Sequence, residues 1–296
     1  MKYQFIYDHC EEYSVVKMCE ILEVSKSGYY KWLCRKEAEL TERERYREEI
    51  KQKISQSFHE SFGTYGSPRV HADLLDWGYT VSQKTVARMM NEMGLMATPP
   101  EKIIITTDSN HDLPIYPNLL NQNFTVDAPN KAWVTDITYI WTIEGWLYLA
   151  SVIDLFSRKM VGWSMAPNMK KELPLAALKM AIATRQPGEG LIHHSDRGSQ
   201  YCSHGYMEVL KERKMKVSMS RIGNPYDNAC IESFHATLKK ELVYRVRFEK
   251  RAEAMRAINY YISNRYNEKR RHSTLGYYSP NHFERHYQNS ILKKTS

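Results

Sequence analysis

Three acidic residues, Asp136, Asp196 and Glu232, are the side chains of this sequence best suited to catalysis. Carboxylate oxygens are the ligands that hard divalent cations such as Mg²⁺ prefer. Two such ions, about 3.5–4 Å apart and sharing carboxylate ligands, activate a water or hydroxyl group and stabilise the leaving oxygen of an in-line displacement at phosphorus. The three residues therefore predict a phosphoryl-transfer site with two Mg²⁺ ions per active site, for which Mn²⁺ is a substitute.

Each carboxylate falls at a defined point of a predicted element. Asp136 lies inside a β-branched and aromatic strand, Asp196 follows a short buried strand, and Glu232 lies one turn into a helix. The three elements are predicted at Ala132–Trp141, Leu191–His194 and about Asn228–Val243. A buried, unpaired charge costs several kcal/mol or shifts its pKa until it is neutral, so Asp136 in particular needs an explanation.

Each of the three also has an ordinary structural explanation. Asp136 could form a salt bridge across the sheet with Arg158 or Lys159. Asp196 could stabilise a loop turn, and Glu232 could lie on a solvated helix face. Four Asp–Glu pairs share the 36-residue offset of Asp196 and Glu232, so spacing alone does not decide. The order of the predicted elements favours a joint site.

The remaining elements of the C-terminal half predict an α/β core. Three strands joined by turns form an antiparallel meander, and a helix–strand–helix–strand run completes a mixed five-stranded sheet with flanking helices. The further strands are predicted at Trp146–Ile153, Met160–Met165 and Lys216–Ser220, and the further helices at Leu173–Ala183, His204–Lys214 and about Lys250–Arg265.

All-α helix-turn-helix modules are predicted to precede this core. Tyr13–Arg35 predicts two short helices, the second capped by Ser25, and Lys36–Glu60 predicts one long amphipathic helix. A second helix pair is predicted at Arg69–Leu75 and Ser82–Met93.

The last helix of this second pair predicts a DNA contact. Gln83 and Lys84 open the helix with polar side chains, at the place where a recognition helix presents its base-reaching residues, and Gly94 marks its end. A purely structural three-helix unit is the alternative.

These patterns divide the chain into six segments. They are an N-terminal helix-turn-helix (1–38), a linker helix (39–62), a second helix-turn-helix-like module (63–98), a Pro-containing linker (99–124), a catalytic core with C-terminal basic helices (125–285) and a tail (286–296).

Charge and composition narrow the function classes. The net charge of +8 indicates an anionic partner, nucleic acid first. From Lys239 to His272, 11 Lys and Arg residues face four acids and alternate with tyrosines. This pattern predicts a surface that contacts DNA phosphates and includes Arg270, Arg271 and His272. No apolar run reaches the roughly 18 residues of a membrane span, which excludes an integral membrane protein. Five scattered cysteines favour a reducing cytosol.

Several long motifs of the sequence resemble the integrase catalytic core of bacterial insertion-sequence transposases. The three that hold the carboxylates are W-V-T-D-I-T-Y at Trp133–Tyr139, H-H-S-D-R-G-S-Q-Y at His193–Tyr201 and N-P-Y-D-N-A-C-I-E-S-F at Asn224–Phe234. The insertion-sequence-three family is the closest match. Its other signatures resemble Tyr65–Val70, Tyr266-Asn267, Arg270–Ser273, Leu275–Tyr277 and Ser279-Pro280.

This resemblance implies a ribonuclease-H-like fold with Asp136, Asp196 and Glu232 as an Asp-Asp-Glu metal triad. It implies that Lys239 is the basic residue that contacts transposon-end DNA. The implied reaction is Mg²⁺-dependent strand cleavage at the end of the element, followed by attack of the freed 3′-hydroxyl on another phosphodiester. The implied route is copy-out to a circular intermediate and then insertion.

The implied partners are transposon-end DNA and target DNA, with the chain acting as a homo-oligomer on DNA in the bacterial cytoplasm, at the nucleoid. Transposases of the family are usually frameshifted fusions with an upstream helix-turn-helix and a leucine zipper. No sustained heptad run is present here, so the chain resembles the downstream-frame product, with an upstream-frame protein as a possible partner.

Two other functions stay open from the sequence. A non-catalytic DNA-binding protein or repressor would use Tyr13–Arg35 and Ser82–Met93 and carry a vestigial triad. A ribonuclease-H-like nuclease would cleave without strand transfer.

Overall fold

A mixed five-stranded sheet forms the centre of the C-terminal half of the chain. The computed structural model describes residues 1–38, 41–97, 114–222 and 224–295. The strands are β1 (Ala132–Thr142), β2 (Gly145–Asp154), β3 (Met160–Ala166), β4 (Ile192–Ser195) and β5 (Lys216–Met219). Their order is β3-β2-β1-β4-β5, antiparallel between β1, β2 and β3 and parallel between β1, β4 and β5. The predicted ribonuclease-H-like sheet is confirmed.

Helices cover both faces of this sheet because successive strand side chains point to opposite sides. Trp133 packs with α7 (Glu172–Arg185) and α8 (His204–Glu212), whereas its neighbour Val134 packs with α9 (Ala229–Glu241) and α10 (Arg251–Tyr260). Both side chains are completely buried. The most central strand, β1, is therefore fixed by packing on both of its faces.

Two small helical units precede the sheet. The first consists of α1 (Lys2–Asp8), α2 (Val15–Ile21) and α3 (Lys26–Glu37), and the second of α4 (Glu42–Glu60), α5 (Ser67–Asp76) and α6 (Gln83–Glu92). Each has its own apolar core, and the predicted cap at Ser25 is confirmed, since its side chain accepts from the amide of Gly28.

The structure corrects the predicted single helix over Lys36–Glu60, because α3 ends at Glu37 and α4 begins after Thr41. The Thr41 side chain accepts from the Glu44 amide while the Glu44 carboxylate accepts from the Thr41 amide, a capping box that starts a new helix. The sequence pattern did not show the boundary between α3 and α4, because the residues on both sides of it are rich in charge.

Three further features of the chain differ from the predicted elements. The first helix, α1, was not predicted, and α11 (Pro280–Thr295) extends through the predicted tail. The predicted helix over Lys250–Arg265 changes to a π-helix at Tyr261–Tyr266. Residues 99–113 of the predicted linker (99–124) lie outside the described residues. Within the described ranges, no helix is long and apolar enough to cross a membrane.

Gly162 on β3 lets α7 approach the sheet closely. A Cβ there would clash with the Ala177 carbonyl oxygen and lie 2.7 Å from the Ala181 Cβ. We expect Gly162→Ala to lower the free energy of unfolding by about 1–3 kcal/mol, the usual cost of overpacking, in urea denaturation. Gly205, whose Cβ would have nothing within 4 Å, is the control. Equal stability of Gly162→Ala and Gly205→Ala would contradict the packing argument.

Candidate active site

The pairing of β1 with β4 brings two of the three carboxylates to one edge of the sheet. β4 pairs with β1 in parallel over Ala132–Val134, and Val134 is the partner of His194. Continuing that register by two residues places position 136 level with position 196. The backbone positions of Asp136 and Asp196 therefore lie side by side where β4 ends and β1 continues.

The start of α9 places Glu232 at the same edge. A 3₁₀ turn (Pro225–Asn228) leads into α9, and the Asn228 side chain donates to the Thr135 carbonyl oxygen at 3.1 Å, next to Asp136. Asp227 in the turn is fully buried and bonded to Arg221, which holds the pKa of that carboxyl well below its usual range. These contacts fix the position from which the first turn of α9 presents Glu232.

The electrostatics of Glu232 show that it lies near another carboxylate. Partial burial and then the charge of Asp136 raise the pKa of Glu232 to about 7. Asp136 itself faces His235, one turn further along α9, with 3.4 Å between Oδ2 and Nδ1. The other ring nitrogen of His235 is 3.2 Å from Ser151 Oγ on β2, so the imidazole bridges the carboxylate and the neighbouring strand.

Asp196 is held by the loop that follows β4. The Gly198 amide donates to Asp196 Oδ1 at 2.9 Å, and a Cβ on Gly198 would lie 3.0 Å from the same oxygen. Burial, and then the charges of Asp136 and Asp196, raise the pKa of Tyr201. Both aspartates therefore lie within electrostatic range of one buried phenol.

The three carboxylates provide the donor chemistry of a divalent-cation site, although their side chains do not converge on one point. Among the residues that the structure describes, no three Asp, Glu, His or Cys side chains are close enough to hold one ion. Asp136 is turned toward His235, and Asp196 toward an amide. The donors are nevertheless all carboxylate oxygens, and the charge that raises the Glu232 pKa is one that a divalent cation would offset.

The structure supports a structural role for Asp196 in a loop turn but not the salt bridge predicted for Asp136. Arg158 donates to Cys230 Sγ and to the Phe124 carbonyl oxygen, and Lys159 pairs with Glu284. The ionisable side chain that faces Asp136 is thus His235 rather than either of these two cations. A loop turn does describe the contact of Asp196 with Gly198, but it is compatible with a place in the site.

Lys239 lies beside the carboxylates, two turns beyond Glu232 on α9. It is only 7% exposed, and its Nζ is 4.5 Å from the centre of the Tyr139 ring. Burial lowers the pKa of Lys239, and the nearby charge of Asp136 opposes that effect. Gln83 and Lys84 are exposed in the first turn of α6, which Ser82 caps by accepting from the Thr85 amide.

The structure gives Arg270, Arg271 and His272 internal contacts instead of an exposed surface. Arg270 is 7% exposed and donates to Glu241 at 2.9 Å. Burial, with the charge of Arg270 next, lowers the pKa of His272 to about 2, so it is neutral. The predicted DNA contact of these three residues stays a prediction, and no contact in the structure supports it.

Arg265 and Arg271 form a joint between the second helical unit and the domain that contains the five-stranded sheet. Arg265 donates to the carbonyl oxygens of Glu60 and Ser61 at 2.9 and 2.8 Å. Arg271 donates to Asp73 and Asp76 of α5 at 2.5 and 2.6 Å. No local sequence pattern predicts this joint, because Arg271 and Asp73 are 198 positions apart in the chain.

Two kinds of comparison place the chain among known proteins. The Integrase core domain model matches residues 126–225, a second Integrase core domain model matches 213–280, and the HTH-like domain model matches 45–102. The Transposase InsF for insertion sequence IS3A of Escherichia coli (strain K12) is 43% identical over 285 residues, which cover 96% of this chain and 98% of that protein. The chain belongs to the insertion-sequence-three transposase family.

A second protein from an insertion element is as similar. The Insertion element IS600 uncharacterized 31 kDa protein of Shigella sonnei is 44% identical over 270 residues, 91% of this chain and 98% of that protein. Among solved structures, the HTLV-2 integrase catalytic core domain in complex with magnesium (dimeric form) is 16% identical with a TM-score of 0.41. It covers 53% of this transposase and 97% of that chain, a likeness too remote to argue from.

The raised pKa of Glu232 predicts a pH-dependent stability. Between the ordinary value of 4.5 and about 7, the folded protein binds the Glu232 proton more tightly than the unfolded chain, so this group's contribution to stability falls as pH rises. In EDTA, we expect Glu232→Gln to melt above wild type at pH 8 and level with it at pH 4.5 by scanning calorimetry. The exposed Glu212, changed to Gln, is the control. A difference independent of pH would count against the shift.

The joint around Arg271 predicts a large effect of its removal. Arg271→Ala leaves Asp73, whose side chain is 17% exposed, without its cationic partner, while the Ser57 hydroxyl still donates to it, at a cost of about 3 kcal/mol. We expect faster hydrogen–deuterium exchange in α5 and a lower unfolding midpoint in urea. The matched control, Arg285→Ala, removes an arginine that is 59% exposed in its pair with Glu268 and should cost below about 1 kcal/mol. If Arg271→Ala lowered stability no more than Arg285→Ala does, the joint would not contribute to stability as argued.

Proposed function

We propose that this transposase cleaves the ends of its insertion sequence and joins the freed 3′-hydroxyl to target DNA, with Asp136, Asp196 and Glu232 as metal-binding catalytic residues. The observation that carries the proposal is that the three carboxylates lie at the same end of the sheet. The register of β1 with β4 and the start of α9 bring them there, and partial burial, with the charge of Asp136 next, raises the pKa of Glu232. A divalent cation would offset the like charges that these carboxylates bring to one end of the sheet.

The protein's own residues hold and tune this site. Bound Mg²⁺ or Mn²⁺, two ions in the proposed site, would activate the attacking oxygen and stabilise the leaving one. Asp136 is fixed by β1 and by His235, and Asp196 by the Gly198 amide. Glu232 has to lose a proton near neutral pH to bind a cation, because partial burial, and then the charge of Asp136, raise its pKa to about 7. Rigid supports of this kind limit the reorganisation needed during the reaction.

DNA contacts are proposed on both sides of the joint. Gln83 and Lys84 are exposed at the start of α6, where they can reach base edges of the transposon end. Lys239 lies beside the carboxylates and is proposed to hold a phosphate of the cleaved strand. Further proposed partners are target DNA, other copies of this chain on DNA and an upstream-frame protein, with the assembly working at the nucleoid in the cytoplasm.

The test is cleavage by a variant that keeps DNA binding. We expect Asp196→Asn to reduce Mg²⁺- or Mn²⁺-dependent nicking of labelled transposon ends by at least about a thousandfold, as for residues that act as one catalytic unit. DNA binding in a gel-shift assay should stay within a few-fold of wild type. The control is Asp127→Asn, which changes an exposed aspartate ahead of β1 and should leave nicking intact.

Each other outcome identifies another function. Unchanged nicking by purified Asp196→Asn would refute the proposed role of the triad. Tight, salt-sensitive binding of wild-type protein without a joined donor–target product under either metal would indicate the non-catalytic repressor. Cleavage without joining, even from pre-cleaved 3′-hydroxyl ends, would indicate the nuclease.

A further inference from the structure

The end of the β1–β2 hairpin carries an exposed aromatic cavity beside the carboxylates. The cavity is about 330 Å³, and Tyr139, Trp141, Trp146, Lys239 and Arg247 are among its lining residues. Trp141 is 57% exposed and Trp146 is 42% exposed. Large aromatic side chains that are left in solvent next to one another mark a binding surface rather than a packing need.

The aromatic rings are arranged with open faces. The ring centres of Trp141 and Trp146 are 4.8 Å apart at 73°, and those of Tyr139 and Trp146 are 5.2 Å apart at 87°. In an edge-to-face pair the edge of one ring lies against one face of the other ring, and the faces that are not used in the pair are left for a flat ligand to stack on.

The charge of Lys239 in this cavity favours binding of an anion. Only 7% of Lys239 is exposed. Among the described residues, however, no carboxylate oxygen lies within ion-pair distance of its ammonium group. Its near neighbour is the face of the Tyr139 ring, a weak counterpart for a buried charge. Arg247 lines the same cavity from an exposed position. Both cations can serve one phosphate group.

We propose that this cavity binds one unpaired nucleotide at the DNA end, with its base stacked on Trp141 or Trp146 and its phosphate held by Lys239 and Arg247. The inference rests on the proposed function and names how that site takes its substrate. Tyr139 lies three residues beyond Asp136 on β1, and the charge of Asp136 reaches Lys239. A nucleotide held there is therefore a neighbour of the phosphate that reacts.

An unpaired nucleotide fits better than a paired one or an apolar protein segment. A base within a duplex has both faces covered by its neighbours and cannot stack on a side chain without leaving the helix. An apolar segment of a second copy would cover Lys239 without offering it a counter-charge, which is costly for a buried cation. A nucleotide supplies a flat apolar face and a phosphate together, as in other single-strand binding sites.

The experiment measures binding in EDTA, where no cleavage occurs. The full chain is titrated into end duplexes that carry 2-aminopurine either in a short 3′ overhang or within the paired region, and its fluorescence is followed. We expect wild-type protein to quench the overhang base. Trp141→Ala and Trp146→Ala should each weaken binding of the overhang about tenfold, with affinity for the fully paired duplex unchanged. Trp141→Phe, which keeps a stacking face, should retain most of the affinity.

The control and the opposing results are as follows. Tyr260→Ala removes a ring that is 66% exposed on α10, away from the cavity residues, and should change nothing. Overhang binding by folded Trp141→Ala that equals wild type would overturn the proposal, as would conversion of a DNA-free dimer into a monomer by that change in sedimentation velocity. Since Asp196→Asn should keep the overhang signal, failure of cleavage and failure of the cavity are distinguishable.

Discussion

The partial burial of Glu232 near the carboxylate of Asp136 is the constraint on which the candidate site depends. Burial, and then the nearby charge of Asp136, disfavour the charged form of Glu232, which is why its pKa is raised to about 7. Such an arrangement persists only where the supporting structure is strong. β1 is buried on both faces, and α9 is fixed by the contact of Asn228 with Thr135, so repulsion between the two carboxylates cannot simply separate the two elements.

The positive charge of the chain divides into two roles. Arg265, Arg270 and Arg271 are used inside the molecule, where they join α4 and α5 to the catalytic domain and pair with Glu241. This joint ties the unit that carries the proposed base-reading residues to the one that carries the carboxylates. Lys239 and Arg247 remain for an anion from outside, since both line the cavity beside the carboxylates. Net charge therefore indicates the partner, while pairing with internal carboxylates decides which cations are used within the molecule.

Sequence patterns predicted the sheet and the elements of the candidate site closely. Runs of β-branched and aromatic residues and the Ser25 cap are local signals, and the order of strands and helices then placed Asp136, Asp196 and Glu232 on neighbouring elements. Boundaries set by a reciprocal side-chain contact were harder: the capping box of Thr41 and Glu44 lies within a charge-rich run that reads as one helix. The roles of Arg270 and Arg271 were out of reach, because Asp73 is 198 positions away from Arg271 in the chain.

Diffraction from crystals of the full chain grown with Mn²⁺, recorded at the manganese absorption edge, tests most directly whether the three carboxylates form one metal site. The arrangement at the sheet edge predicts anomalous peaks there, with oxygens of Asp136, Asp196 and Glu232 each within about 2.0–2.6 Å of an ion. Manganese bound only elsewhere, or held by one of the three carboxylates while the other two keep their contacts with His235 and Gly198, would contradict a shared catalytic site.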